Sequence, residues 1–253
     1  MQSGEPSRTA LAAARHRAAH QLLEQGCIFA DPLAVRILGE DTDAIARQAV
    51  ENPAGRTMRN FIAVKTRFAE DALAAAVEGG VGQLVVLGAG LDTYAFRGVM
   101  RERVRVFEVD HPATQAWKRR RLDEAGIALP GCLTFAPIDF ECETLAGGLH
   151  DAGFDPTQQT FFTWLGVVPY LTAEAVWSTL GFIESLPNGA RVAERGEPWV
   201  NYFESDKLRA KLTGLGFSMV EDLGPQEIAA RYFPGSAASA PARGGHVLRA
   251  ATI

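Results

Sequence analysis

Apolar residues in this chain follow two rhythms. Short, largely apolar runs occur at Leu84-Val85-Val86-Leu87, Val104-Arg105-Val106-Phe107, Leu133-Thr134-Phe135-Ala136 and Thr160-Phe161-Phe162-Thr163-Trp164-Leu165. They are too short for helices and rich in β-branched and aromatic residues, so they predict buried strands. Ala190 to Ala193 predicts a fifth strand, and Ser218 to Asp222 with His246 to Thr252 predict an antiparallel, hairpin-like edge. Between these runs the spacing is helical. Ser7 is placed to cap a helix over Thr9 to Gln25, with Leu11, Ala14, Ala18, Leu22 and Leu23 on one face. Phe29-Ala30-Asp31-Pro32-Leu33-Ala34 turns into another helix, and further helices are expected over Arg59 to Val77, Pro112 to Ala125, Ala173 to Ser185 (capped by Thr172) and Ser205 to Leu215. Alternating strands and helices predict an α/β fold with a Rossmann-like, doubly wound, mostly parallel sheet. Residues 1–75 are expected to form an N-terminal helical cap and 76–253 one compact nucleoside-binding domain.

The first apolar run stops at Gly88-Ala89-Gly90, and Leu91 to Met100 reads as the start of a helix. Glycine tolerates positive φ and has no Cβ, so backbone there can approach a ligand closely. The free N–H groups of a following helix would face the same crevice. The second run ends at Glu108-Val109-Asp110, which places Asp110 20 residues after Gly90. A carboxylate at that offset is how doubly wound folds hold a ribose diol. Thr93 occupies the position of the third glycine of G-x-G-x-x-G, which lowers a dinucleotide and raises S-adenosyl-L-methionine, a cofactor with no pyrophosphate to cradle.

Val85-Val86-Leu87-Gly88-Ala89-Gly90-Leu91-Asp92-Thr93 and Phe107-Glu108-Val109-Asp110-His111-Pro112-Ala113-Thr114-Gln115 together resemble the leucine carboxyl methyltransferase superfamily. The closer resemblance is to its bacterial branch of small-molecule O-methyltransferases, which includes polyketide carboxyl methyltransferases. It implies the class I methyltransferase fold, S-adenosyl-L-methionine as cofactor, and a set of site residues. Gly88, Ala89, Gly90 and Asp110 would hold the cofactor. Lys65 stands where relatives usually carry an Arg for the cofactor carboxylate, with Arg67 two residues on, and either one can fill that role. Asp139 and Phe140 would meet the adenine, and Trp164, at the end of the fourth strand, would also contact the cofactor. His20, Phe29, Tyr170, Trp199 and Tyr202 are candidates for lining the acceptor site. Many relatives carry a Glu where this chain has Leu165. Relatives also extend the fifth strand into a further helix before Gly-Glu-Pro-Trp. Here Ala190-Arg191 runs almost directly into Arg195-Gly196-Glu197-Pro198-Trp199, so the strand is expected to be short and one pocket wall thinned.

Composition excludes more than it identifies. The 253 residues suit one α/β domain, and a net charge of −5 argues against an electrostatic nucleic-acid binder. Cys27, Cys132 and Cys142 have no metal or redox spacing, and no apolar run approaches bilayer length. A cytoplasmic protein without metal, nucleic-acid or membrane partner is expected, with a homodimer left open. Residues 6–23 are rich in Arg and Ala and lack acids, which reads as a helix rather than a transit peptide. His16 and His20 share a helical face but have no third metal ligand nearby. Lys118-Arg119-Arg120-Arg121 points in several directions around a helix and reads as a solvated surface. The expected function is S-adenosyl-L-methionine-dependent O-methylation of a small molecule at a carboxylate, in secondary metabolism. A carboxylate is ionised at neutral pH and needs no general base, whereas a phenol gains from one, so no catalytic residue is assigned. The alternative is a cofactor-binding homologue that has lost methyl transfer and serves another reaction or a binding role.

Overall fold

The structure, a computed structural model, describes residues 7–139, 142–186, 190–196, 205–233 and 244–252. Seven strands form one sheet: β1 (Gln83–Leu87), β2 (Arg105–Asp110), β3 (Leu133–Pro137), β4 (Thr160–Trp164), β5 (Ala190–Gly196), β6 (Met219–Leu223) and β7 (His246–Ala251). Their order is β3-β2-β1-β4-β5-β7-β6. The first five are parallel, and β7 lies antiparallel between β5 and β6. The order reverses between β1 and β4, and a crevice forms outside the strand ends at such a switch point.

The first apolar run is continuous because both of its faces are covered. Val85 and Leu87 join a core with Leu149 of α7 (Leu145–Asp151), Leu180 of α8 (Ala173–Glu184) and Leu212 of α9 (Ser205–Gly214). Leu84 and Val86 join the opposite core, against Leu73, Ala76 and Val77 of α4 (Gly55–Glu78) and Tyr94 of α5 (Tyr94–Arg97). Phe107, Phe154 and Phe162 stack edge-on in the first core, with centroids 5.7 and 6.4 Å apart. Each such fully buried side chain contributes roughly 1.5–3 kcal/mol of transfer free energy.

The N-terminal cap is α1 (Arg8–Leu23), α2 (Ala34–Leu38), α3 (Thr42–Glu51) and the first half of α4. Ser7 Oγ accepts from Ala10 N at 3.3 Å and starts α1. Ala14, Ala18 and Ala19 are buried, and small side chains let α1 lie close to its neighbours. The boundary expected at residue 75 falls inside α4, which packs on α1 at one end and under β1 at the other.

Five elements differ from expectation. The helix expected over Leu91 to Met100 is the single turn α5, because the Asp92 carboxylate accepts from Tyr94 N at 2.8 Å and delays the start. Helices α3, α7 and α10 (Pro225–Tyr232) come in addition to the expected set. The fifth strand is not short. β5 has seven residues and pairs with β4 from Ala190 to Glu194 and with β7 from Arg191 to Gly196. A strand flanked on both sides finds partners for each added residue, so Arg195-Gly196 completes it. Pro187-Asn188-Gly189, whose composition predicts a turn, and the small-residue run Pro234 to Pro241, which predicts a loop, lie outside the described residues. The helix over Pro112 to Ala125 is α6 (Pro112–Glu124), with His111 Nδ1 accepting from Ala113 N at 3.1 Å.

Candidate active site

The β1 exit lies at the switch point and folds back on the end of β2. Gly88 N and Ala89 N donate to Val109 O at 2.8 and 3.1 Å. Gly88 has φ +67° and Gly90 φ +48°, the left-handed region that favours glycine. A Cβ on Gly88 would collide with Val167 Cγ2, and one on Gly90 would sit 2.9 Å from Ala10 Cβ of α1. The turn is thus held between the β4 exit and the cap, with no room for a side chain at either glycine.

Asp110 closes the turn. Its Oδ2 accepts from Gly90 N at 2.6 Å and its Oδ1 from His111 N at 2.8 Å. Burial pushes this carboxyl up, and the two N–H bonds and nearby Lys118 oppose that. β3 pairs Pro137 with Asp110, and Ile138 N donates to Asp110 O at 3.0 Å, so Asp139 emerges beside Asp110. Asp139 is half-buried, and its N donates to Glu143 Oε2 at 2.8 Å.

Lys118 sits under this platform, which corrects the solvated-surface reading of the basic run. It is 1% exposed, reaches Glu108 Oε2 at 2.5 Å and donates to Asp92 O at 2.6 Å. The Glu108 carboxyl is pushed up to about 7, chiefly by burial, with Lys118 opposing. The rest of the basic run is partly used as well. Arg119 lies 4.1 Å over the Phe135 ring, and Arg121 donates to Leu38 O at 2.6 Å. Only a partner on another strand or helix reveals which way a residue of such a run turns.

A second network ties the cap to the turn. Asp31 is 1% exposed. Its Oδ2 accepts from Thr93 Oγ1 at 2.7 Å, and Arg97 Nε lies 3.2 Å from Oδ1. Arg97 also grips Glu70 of α4 with two bonds, at 3.0 and 2.7 Å, and stacks 4.6 Å over Phe29. Arg17 of α1 donates to Leu91 O and lies 3.7 Å from Asp31 Oδ2. Thr93, which takes the place of a third glycine, is therefore the cap's anchor on the turn. Asp31, Glu70, Arg97 and Arg17 carry no motif of their own in the sequence. The one local sign is the place of Asp31 within the Phe29-to-Ala34 turn.

The leucine carboxyl methyltransferase profile matches residues 10–184. The chain belongs to the leucine carboxyl methyltransferase family. Among its relatives is YktD of Bacillus subtilis, provisionally named an S-adenosyl-L-methionine-dependent methyltransferase. It is 35% identical over 182 residues, which span 61% of this chain and 60% of that protein. A Frankia alni relative with the same provisional activity in its name is 31% identical over 236 residues, covering 83% of this chain and 81% of its own. The chain thus matches less than two thirds of the Bacillus relative's length. The magnesium protoporphyrin IX methyltransferase ChlM of Synechocystis, solved with bound S-adenosyl-L-methionine, covers 98% of this chain and 100% of its own at TM-score 0.51 and 13% identity. That likeness shows the class I methyltransferase fold.

The family's cofactor fits the platform. Asp110 spends one lone pair per oxygen on backbone N–H groups, and a carboxylate has further acceptor sites for two ribose hydroxyls. Of the two basic candidates, Lys65 is 5% exposed on the inner side of α4, whereas Arg67 pairs with Asp71 at 2.8 Å with half its side chain in solvent. Arg67 is a surface residue and does not join the others, because two positions along a helix turn it to a different side. Trp164 is buried in the core beneath the sheet. Phe29 is buried in the cap under Arg97, and Tyr170 is exposed after β4. Phe140, Trp199 and Tyr202 lie outside the described residues. Among the described residues no group of three or more His, Cys, Asp and Glu is placed to hold a metal ion. No described helix is long and apolar enough to cross a membrane.

Proposed function

We propose that this family member transfers a methyl group from S-adenosyl-L-methionine to an oxygen of a small molecule, in the manner of the bacterial secondary-metabolism branch. The observation that carries this reading is the glycine turn locked to Asp110 at the β1/β4 switch point, with Asp139 beside it. Asp110 would hold the ribose hydroxyls, Asp139 the adenine amine, and Lys65 the methionine carboxylate. The cofactor, when bound, supplies an electrophilic methyl on a sulfonium. The chain's own task is to hold the acceptor oxygen in line and keep water out. Such positioning is worth ~7–11 kcal/mol of barrier, and the cap anchored by Asp31 is the element that encloses the site.

The resemblance supports a carboxylate acceptor and a methyl ester product. With β5 paired along its length, the reading of a homologue without methyl transfer retains Leu165 as its motive. Calorimetry with S-adenosyl-L-methionine and S-adenosylhomocysteine tests the cofactor, and binding of NAD in place of both would overturn it. Mass spectrometry of reactions with labelled cofactor and a panel of aromatic polyketide acids and phenols tests the acceptor class.

A further inference from the structure

Three consecutive residues at the end of β2 hold the turn that follows β1. Val109 O accepts from Gly88 N and Ala89 N, and the Asp110 carboxylate accepts from Gly90 N at 2.6 Å. Glu108, the first of the three, reaches the turn at one remove. Its Oε2 lies 2.5 Å from Lys118 Nζ of α6, and the same Nζ donates to Asp92 O at 2.6 Å. Gln115, one turn earlier on α6, donates from Nε2 to Glu108 O at 2.7 Å.

The Lys118–Glu108 pair is sealed from solvent, at 1% and 0% exposure. The ammonium has three N–H groups. It gives bonds to Glu108 and Asp92, and the Phe96 ring lies 5.7 Å away. Asp92 and Asp110 both act against a charge on Glu108, and Lys118 acts for it. A buried ion pair contributes little net stability, because desolvation opposes most of the attraction, and two apolar side chains of similar volume would hold the fold as well. What apolar side chains would not supply is the bond to Asp92 O. The peptide group is planar, so a carbonyl held by Lys118 also fixes the Thr93 N–H on its far side. Thr93 Oγ1 in turn donates to Asp31 Oδ2 at 2.7 Å. One ammonium therefore sets both the exit of the glycine turn and the residue on which the cap is anchored.

We infer that Lys118 is a positioning residue for cofactor binding: it holds the Asp92–Thr93 peptide, and with it the path of the chain out of Gly88-Ala89-Gly90, in the binding geometry, while Glu108 keeps the ammonium at that carbonyl. This rests on the methyltransferase reading above. Lys118 acts through the backbone of the turn.

The test compares full-length wild type, Lys118→Met and the double variant Lys118→Met/Glu108→Leu. S-adenosylhomocysteine affinity is measured by calorimetry and stability by urea denaturation. Lysine Nζ nitrogen NMR follows the ammonium itself. The chain's other lysines are Lys65, Lys207 and Lys211, so the signal missing from Lys118→Met belongs to Lys118. The single variant leaves Glu108 buried without its partner and should lose both stability and affinity. The double variant removes the whole pair, so its urea midpoint should equal or exceed that of the wild type. Its affinity should stay about tenfold or more below the wild type's, the usual size of one lost charge-assisted hydrogen bond. A merely structural pair would instead let affinity recover together with stability. In the wild type, the Lys118 ammonium should exchange slowly with water, and its resonance should move on saturation with S-adenosylhomocysteine. Recovery of wild-type affinity in the double variant, or a Lys118 resonance unmoved by S-adenosylhomocysteine, would each overturn the inference. If the double variant does not fold, the resonance decides alone. Failure of the wild type to bind S-adenosylhomocysteine would instead overturn the methyltransferase reading beneath it.

Discussion

The glycine-turn side of the candidate site and the cap side are built by different means. On the glycine-turn side, Gly88, Gly90 and Asp110 act through backbone and one carboxylate, all at the ends of adjacent parallel strands. On the cap side, Asp31, Glu70, Arg97, Arg17, Glu24 and Arg59 act through buried ion pairs between segments far apart in the chain. Thr93 and Asp31 are 62 residues apart, Arg59 and Glu24 35, and Arg97 and Glu70 27. The sheet side is preorganised by the fold and tolerates little change of shape. The cap side is held by charge and depends on every partner being present. A buried ion pair is weak evidence for stability as a whole, but removal of one partner is severe because the other stays buried and uncompensated.

That contrast can be broken most directly at Asp31. Asp31→Asn should cost about 3–5 kcal/mol, the usual cost of leaving a buried charge without its partner. Urea denaturation measures it, and an unchanged midpoint would mean that Arg17 and Arg97 re-pair elsewhere. Under the sheet, Glu108 offers a pH-dependent version. Its folded carboxyl holds a proton up to about 7 against an ordinary value of 4.5, so its contribution is fully present below 4.5 and is lost as pH rises through 7. Glu108→Gln should flatten the stability profile across that window. Equal slopes in the two proteins would remove Glu108 as the cause. Asp110→Ala tests the glycine-turn side. Loss of charge-assisted hydrogen bonds, ~1.5–3 kcal/mol each, should weaken S-adenosylhomocysteine binding at least tenfold with little change in folding, the reverse of Asp31→Asn. The smallest effect sharpens the choice between the two basic residues of α4. Arg67→Ala removes a solvated i,i+4 pair worth ~0.3–0.5 kcal/mol and should leave affinity unchanged, whereas Lys65→Ala should lower it. Equal affinities in both variants would leave the cofactor carboxylate to another group.

The sequence by itself determined the sheet, the glycine turn and Asp110. Those features rest on local signals: a short apolar run is buried on both faces, glycine marks a backbone without room for Cβ, and the 20-residue offset from Gly90 to Asp110 is one strand–turn–strand repeat. Alternation of strand and helix likewise made the parallel order legible. Only the tertiary structure decided that Lys118 turns inward to Glu108, that Lys65 is buried and Arg67 is not, that Arg195-Gly196 completes β5, and that Thr93 anchors the cap through Asp31. The physical reason is the same in each case. A charged or polar side chain takes its direction from its partner, and these partners lie on other elements, tens of residues away, where no periodicity along the chain records them.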